Sequence, residues 1–462
     1  MSTPPPIPRE GPAEASQAAA AAAACEERFQ RDWSGLPPGR PCEVHRPATT
    51  EALAAIVRRC RGEGRRITVQ GGLTGVAGGA VPDDGDVVIN LERMNRIEDI
   101  DPVEGVMQVQ AGATLLQVQE AAAAHGWMFA VDLGARGSCQ VGGNAATNAG
   151  GTRVLRYGPM RDSVLGIEAV LADGSVLHSL GRLVKNSTGP DPRFVFIGSE
   201  GTLGIITRLT LRLHPPPGEA AAAWVGVRSF EALPALLRSL RQRLGPSLCA
   251  FEFMSDRFVR LAAQLAGQRP PLAGTVACDW QVLIEAAGMP GQSLEEPLQA
   301  VLAEALEAGA IDDCAFAASL AQREAFWRLR ETIPEVLAHL KPAATLDIGL
   351  PWAQTADYLA QVEAALRERL PGAEHLFLGH LGDNNLHLIS GPVNDEGHRI
   401  VDEIAYGALR GRGGTVSAEH GVGRLKKPYL EVSRTAGEID FMRRLKQALD
   451  PSGMFNPGRI FD

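Results

Sequence analysis

Residues 132–151 read DLGARGSCQVGGNAATNAGG, a stretch dense in glycine and small polar side chains and almost free of charge. A solvated loop of this length ordinarily carries more Lys, Glu or Pro, so main chain brought close to a ligand is the better reading. Two other segments have the same character. Residues 70–80, QGGLTGVAGGA, place five glycines between positions 71 and 79 directly after the short apolar strand predicted at 67–69. Residues 198–207, GSEGTLGIIT, again set glycines beside a β-rich run. Successive glycines let backbone N–H groups converge on an anion with no Cβ in the way. Neither the GxGxxG dinucleotide fingerprint nor a GxxxxGK[ST] loop is matched. One such loop alone reads equally well as a flexible surface loop. Three, each next to a strand or hairpin, predict a long ligand touched by main chain along its whole length.

FAD, with a pyrophosphate, a ribityl chain and two ring systems, fits that description. The bulk numbers agree with an ordinary globular protein: 462 residues, long for one core, with 45% hydrophobic and 21% charged residues. A net charge of -9, with no Lys/Arg block, excludes a nucleic-acid partner, which needs a concentrated basic face. The seven cysteines are scattered and form no CxxC pair, so they read as reduced thiols of a cytoplasmic protein. No apolar run is long enough to span a bilayer. Residues 1–24 are Pro- then Ala-rich and lack a basic start, so a cleaved signal is not expected; a frayed tail leading into a short Ala-rich helix is.

The order of elements predicts α+β. Thr50 is placed to cap a helix whose Leu53, Ile56, Val57 and Cys60 form one stripe, and a second helix is expected over 114–125 with Gly126 as its stop. Asp173 and Gly174 lie between two apolar runs as a hairpin turn. Residues 207–213 alternate cleanly, as a half-buried strand does. Pro215, Pro216, Pro217 and Gly218 then mark a boundary, after which Ala/Leu/Arg helices mix with strands near 281–284 and 376–378. Ser319 and Gln322 suggest a capping box on a long helix that Pro334 should kink or end, and a last helix carries Ile439, Met442, Leu445 and Leu449.

Residues 380–387 read HLGDNNLH. Two imidazoles seven apart face opposite sides of an unbroken strand, but a turn at Gly382, Asp383 and Asn384 can bring both to one point. Downstream, VSAEHGVG at 416–423 sets Glu419 beside His420 between residues that free the backbone. Two His and one carboxylate suit Zn²⁺ or Mn²⁺, and the same set can hold non-haem iron. From spacing alone, solvated or hydrogen-bonded histidines remain the more common outcome.

These motifs together resemble the FAD-linked D-2-hydroxyacid dehydrogenases of the vanillyl-alcohol-oxidase superfamily, which include D-2-hydroxyglutarate dehydrogenase, D-lactate dehydrogenase and the FAD subunit of glycolate oxidase. The resemblance runs from about Trp33 to Ile460. It implies a tail over 1–32, a two-part PCMH-type FAD-binding domain over 33–215, an α/β substrate or cap domain over 216–412, and a C-terminal helical segment over 413–462 returning to the flavin. By the same resemblance the pyrophosphate lies on Gln70, Gly71, Gly72, Leu73, Thr74, Gly75, Gly78 and Gly79. Asp132, Leu133, Gly134, Ser138, Gly142, Gly143, Asn144, Thr147, Asn148, Gly150 and Gly151 line flavin and phosphates. Glu200, Gly201 and Gly204 follow, Ile205 and Ile206 lie along the adenine, and Asn456 in FNPGR reaches back to the flavin. The first loop has neither His nor Cys, so FAD is expected to be non-covalent, with Cys139 the one reservation. The resemblance further makes His380, His387 and Glu419 the metal ligands, His420 the catalytic base and a substrate contact, and Arg330 in WRLRET the grip on the substrate carboxylate. An exposed helix Arg paired with Glu331 is its bland alternative.

The chain departs from the hydroxyglutarate pattern at several positions that bear on substrate: Thr345 stands where a Lys that binds substrate carboxylate is frequent, Pro334 in place of Thr and Ile389 in place of Asn; the first, cofactor-binding loop also has Leu73 where Asn is usual. The expected reaction is oxidation of a small D-2-hydroxy acid, D-2-hydroxyglutarate or one with a smaller or less acidic tail. A D-lactate or glycolate dehydrogenase is the nearest alternative. A non-catalytic flavoprotein subunit and a metallohydrolase with purely structural glycine loops are the more distant ones. Electron-transfer flavoprotein, a quinone or another carrier can serve as acceptor, and the missing Rossmann fingerprint argues against NAD. Whether the chain forms a homodimer is left open.

Overall fold

The computed structural model describes residues 26–272 and 277–461. Cys25 and the Ala-rich helix expected before it lie outside that range. Chain order begins with a small parallel sheet of β1 (Glu43–His45), β2 (Ile67–Gln70) and β3 (Val87–Asn90), arranged β1-β3-β2. An antiparallel sheet of β4 (Ile97–Asp101), β5 (Val106–Gln110), β6 (Val164–Val170), β7 (Val176–Ser179) and β8 (Ile205–Arg212) follows, in the order β4-β5-β8-β6-β7. β6 and β7 are the hairpin expected at Asp173 and Gly174, and Gly174 takes a φ of 77°. The two sheets share one core, in which Leu53, Ile89, Val109, Val141 and Leu209 are buried.

Three expectations need correction here. Thr49, not Thr50, caps helix Thr50–Gly62: its side chain accepts from Ala52 N, while the Thr50 hydroxyl is buried and donates to Glu168 Oε1 at 2.7 Å. β8 is not half-buried but central: Thr207 and Thr210 are both fully enclosed, and helix Val141–Ala146 packs on it. Residues 26–32 are not a tail. Glu27–Gln30 forms a 3-10 turn whose Phe29 is buried, and the Phe29 carbonyl accepts from Gln70 Nε2 at 2.8 Å.

From β9 (Ala220–Val227) onward the chain builds a third sheet with β10 (Leu248–Ser255), β11 (Trp280–Ala287), β12 (Asp313–Phe316), β13 (Ala344–Gly349), β14 (Glu374–His380) and β15 (Asn385–Gly391). Its order is β12-β9-β11-β10-β14-β15-β13 and every pairing is antiparallel. One face carries Phe251, Phe253, Phe377, Leu386, Leu388, Leu346 and Ile348 against helices Leu233–Leu244, Glu295–Glu307, Trp352–Arg369 and Asp395–Leu409. On the other face Trp224, Met254, Leu376 and Ile389 pack under helices Asp256–Ala266, Leu320–Arg330 and Ile333–His339. Because side chains alternate along a strand, Glu252, His380, His387, Asp347 and Thr345 share this second face. Ser319 caps the helix expected there, which ends at Arg330. Pro334 opens the following helix in its first turn, where a missing N–H leaves no bond unmade.

The C-terminal helix Ala436–Leu449 starts with a capping box of Thr435 and Glu438. Its Lys446 ammonium donates to Thr202 O at 2.7 Å and Phe455 O at 2.8 Å, which brings the chain back to the first domain. Residues 454–456 then extend the edge of β2, through Ile67 N to Met454 O at 2.7 Å and Asn456 N to Ile67 O at 2.9 Å. Arg459 is buried behind this edge. It donates to the carbonyls of Gly79, Val81 and Pro457 and to the Thr68 hydroxyl, and burial pushes its pKa down to about 10. Arg459→Met keeps the volume but orphans those buried carbonyls. The expected loss is on the order of 3 kcal/mol in urea unfolding followed by circular dichroism; an unchanged midpoint would show that the strap is not held this way.

Candidate active site

The three glycine-rich segments meet. A Cβ on Gly72 would lie 2.0 Å from Ser138 O, so the first loop presses against the second without side chains between them. A Cβ on Gly143 would meet nothing within 4 Å, so that glycine faces open space. Beside it the Gln140 carboxamide oxygen is buried and lacks a hydrogen-bond partner among the described residues, and it faces Gly71. An orphaned acceptor suits a hydroxyl of FAD, and the glycine main-chain N–H groups beside it suit its phosphates.

Several residues expected to touch the cofactor are engaged elsewhere. The Glu200 carboxylate accepts from Val422 N at 2.6 Å and Gly423 N at 2.8 Å, tying the 416–423 loop to the first domain. Asn456 uses both ends of its amide, accepting from Val69 N at 2.8 Å and donating to Glu200 O at 2.7 Å. Ile205 and Ile206 are buried in the core of the five-stranded sheet. Asp132 pairs with Arg136 and Arg153, each at 3.3 Å. What these positions offer a cofactor is main chain and shape.

The second cluster forms on the seven-stranded sheet. β14 ends at His380, a 3-10 turn at Leu381–Asp383 and a left-handed Asn384 reverse the chain, and β15 brings back His387. The two rings are 5.4 Å apart, and ligand atoms of His380, His387 and Glu419 all lie within 4.8 Å of one another. Burial holds His387 well below the usual imidazole range and so neutral, whereas at His380 burial is outweighed by the Glu252 and Glu419 carboxylates, which raise it. A neutral imidazole is the form that binds a cation. This donor set fits a borderline-soft divalent ion. The cluster also adjoins the cradle: a Cβ on Gly150 would lie 3.6 Å from Glu419 Oε2.

Sequence reading missed the groups that hold this cluster. Asp347 is fully buried and its Oδ2 accepts from Ala418 N at 3.0 Å, Glu419 N at 2.9 Å and His420 N at 3.1 Å. Its Oδ1 lies 3.0 Å from His420 Nδ1 and also bonds the Lys426 ammonium. Burial alone would raise the Asp347 carboxyl, but His420 and Lys426 outweigh it and hold it well below the usual carboxylate range. In turn, burial depresses His420, but Asp347 and Glu419 together outweigh it and raise the imidazole above its ordinary value. Glu252 bonds both His380 and Arg330. Arg330 is therefore not an exposed helix arginine; it is 3% exposed and reaches the cluster. The signal was a lone carboxylate inside an apolar strand, AFEFM for Glu252 and ATLDIG for Asp347. Thr345 is exposed on the same sheet face and pairs with Ile389, one step along from the Asp347–His387 pair.

A glycine-lined cradle on a split α+β domain, beside a second domain with a His/Glu cluster, defines a flavoprotein of the FAD-linked oxidase class. Residues 41–179 match the FAD binding domain family, and residues 216–460 match the C-terminal domain of FAD linked oxidases. D-2-hydroxyglutarate dehydrogenase of Xanthomonas citri pv. viticola is 37% identical over 94% of this chain and 92% of its own. The mitochondrial D-2-hydroxyglutarate dehydrogenase of Bos taurus is 38% identical over 93% of this chain and 78% of its own. The chain belongs to the FAD-linked D-2-hydroxyacid dehydrogenase family. In fold it is similar to p-cresol methylhydroxylase, with TM-score 0.74 and 16% identity over 94% of this chain and 92% of that one. The 4-ethylphenol oxidase of Gulosibacter chungangensis has TM-score 0.72 and 20% identity over 96% and 93%. Among the described residues no helix is long and apolar enough to cross a membrane.

The departure at Leu73 has a visible cost. Its φ is 60°, in the left-handed region where a Cβ-bearing apolar residue is strained and Asn is tolerated. Leu73→Asn is expected to gain about 0.5–1 kcal/mol in denaturant unfolding of the FAD-loaded protein. A loss of stability would mean that packing of the leucine outweighs the strain.

Proposed function

We propose that this enzyme oxidises a D-2-hydroxy acid to the 2-oxo acid, with His380, His387 and Glu419 holding a divalent metal and His420 acting as base. The reading is supported chiefly by the adjacency of the His/Glu cluster to the Gly150 segment of the flavin cradle. When bound, FAD accepts a hydride from the substrate carbon and the cation, as a Lewis acid, makes the substrate hydroxyl easier to deprotonate. His420 contributes through its tautomer. With Nδ1 turned to Asp347 as a donor, Nε2 carries the lone pair and can take the hydroxyl proton. Asp347 then stabilises the imidazolium, much as a buried aspartate does behind other catalytic histidines. Arg330 offers N–H groups in a fork suited to the C1 carboxylate.

The relatives named D-2-hydroxyglutarate dehydrogenase support that substrate class. The Thr345–Ile389 pair favours a tail smaller or less acidic than that of hydroxyglutarate, because a threonine facing a buried isoleucine brings no positive charge to a second carboxylate. Steady-state rates with an artificial acceptor across D-2-hydroxyglutarate, D-malate, D-lactate and their L-enantiomers test this. A strong preference for D-2-hydroxyglutarate would rule out the tail argument, and turnover of L-acids would rule out the class.

Two further outcomes follow from the roles assigned. Chelation should abolish flavin reduction by substrate and leave the flavin absorption band intact. His420→Gln should keep FAD and metal but slow anaerobic flavin reduction by about 10²–10⁴-fold in stopped flow. Reduction at the wild-type rate would remove His420 from the chemistry.

A further inference from the structure

Glu252 is the most deeply buried acidic group of the second domain that the proposed reaction does not use. It lies on β10 between Phe251 and Phe253, which point into the helix-packed core on the opposite face. The register places its Cα directly across from that of His380 on β14. Its two oxygens lie 2.8 and 2.9 Å from His380 Nδ1, and Oε2 also accepts from Arg330 Nε at 2.8 Å. The side chains of Glu252 and Arg330 are 2% and 4% exposed, so water competes for neither. A single carboxylate thus holds both the His380 imidazole of the cluster and the guanidinium assigned to the substrate carboxylate.

From this geometry we propose that Glu252 is a positioning residue that sets metal affinity and substrate-carboxylate binding together. The role rests on the metal and Arg330 assignments of the proposed function. On the metal side, an Nδ1–H directed at a carboxylate fixes the tautomer in which Nε2 carries the lone pair, and raises the basicity of that nitrogen. On the substrate side, engaging Arg330 through Nε turns the guanidinium edge-on and locks a long side chain that would otherwise lose rotamer freedom on binding. Helix Leu320–Arg330 delivers the arginine at its last turn, held by buried Phe326 and Leu329. Neither partner can move without breaking its bond to the same carboxylate.

Glu252→Gln tests the coupling because it preserves shape but has one acceptor oxygen. Its amide NH₂ must face either the His380 Nδ1–H or the Arg330 Nε–H, donor against donor. Zinc titrated calorimetrically into chelator-stripped, FAD-loaded protein should bind about 10–100-fold more weakly in this variant. KM for the D-2-hydroxy acid turned over by the wild type should rise as well, with Glu252→Asp intermediate in both. Zinc affinity and KM both indistinguishable from wild type would overturn the proposal, as would a shift in only one of them. Wild-type protein that takes up neither zinc nor manganese would overturn the metal reading and this role with it. If Glu252→Gln does not retain FAD, ¹⁵N-histidine NMR of the wild type, assigned with His380→Gln, decides instead. An Nδ1–H signal for His380 is expected, and an Nε2–H tautomer would overturn the proposal.

Discussion

Asp347 carries a full negative charge in the interior, and the geometry of the active site is organised around neutralising it. A buried carboxylate survives only if hydrogen bonds and an opposite charge replace the water it has lost. Here the replacements come from one short segment. Three successive backbone N–H groups at 418–420, the Ser417 hydroxyl, the His420 ring and the Lys426 ammonium all turn toward it. The loop is consequently wrapped on the end of β13. That wrapping fixes where the Glu419 and His420 side chains emerge, although neither belongs to a strand or helix.

The same loop is fastened from the other side. Glu200, from the third glycine-rich segment, accepts from Val422 N and Gly423 N, and Asn456 of the C-terminal strap donates to the Glu200 carbonyl while accepting from Val69 N. The two domains therefore meet at a segment that both of them hold. Electrostatics belonging to the second domain and hydrogen bonds belonging to the first act on residues only a few positions apart. Such double fastening suits the reaction proposed above, in which a substrate atom would be presented to a ring bound by one domain and to groups carried by the other, since small misplacements there would be costly.

Antiparallel pairing supplies the rest of the precision. β10, β14, β15 and β13 are adjacent, so Glu252 opposes His380 and His387 opposes Asp347 by register alone. Slipping any of these strands by one residue would turn its polar member into the apolar face against Phe251, Phe377 and Leu386. The core on one side of the sheet thus specifies the chemistry on the other. Positions that depart from the hydroxyglutarate pattern obey the same geometry, with Thr345 and Ile389 neighbours across β13 and β15.

Local chemistry was legible in the amino-acid sequence: glycine runs need no tertiary context to announce main chain approaching a ligand, and HLGDNNLH announces a reversal between two imidazoles. The cap at Ser319, the Asp173–Gly174 hairpin and the position of the C-terminal helix were readable for the same reason, since each depends on neighbours within a few residues. Tertiary structure alone decided which buried carboxylates hold the site, because Glu252 and His380 are 128 residues apart and Asp347 and His420 are 73 apart. It also decided that β8 is central, that residues 26–32 are packed, and that Glu200 and Asn456 fasten a loop. Such facts follow from which strands pair and what covers them. A one-dimensional pattern records a side chain's polarity, but its partner is chosen by register and by the cost of leaving a charge alone in the core.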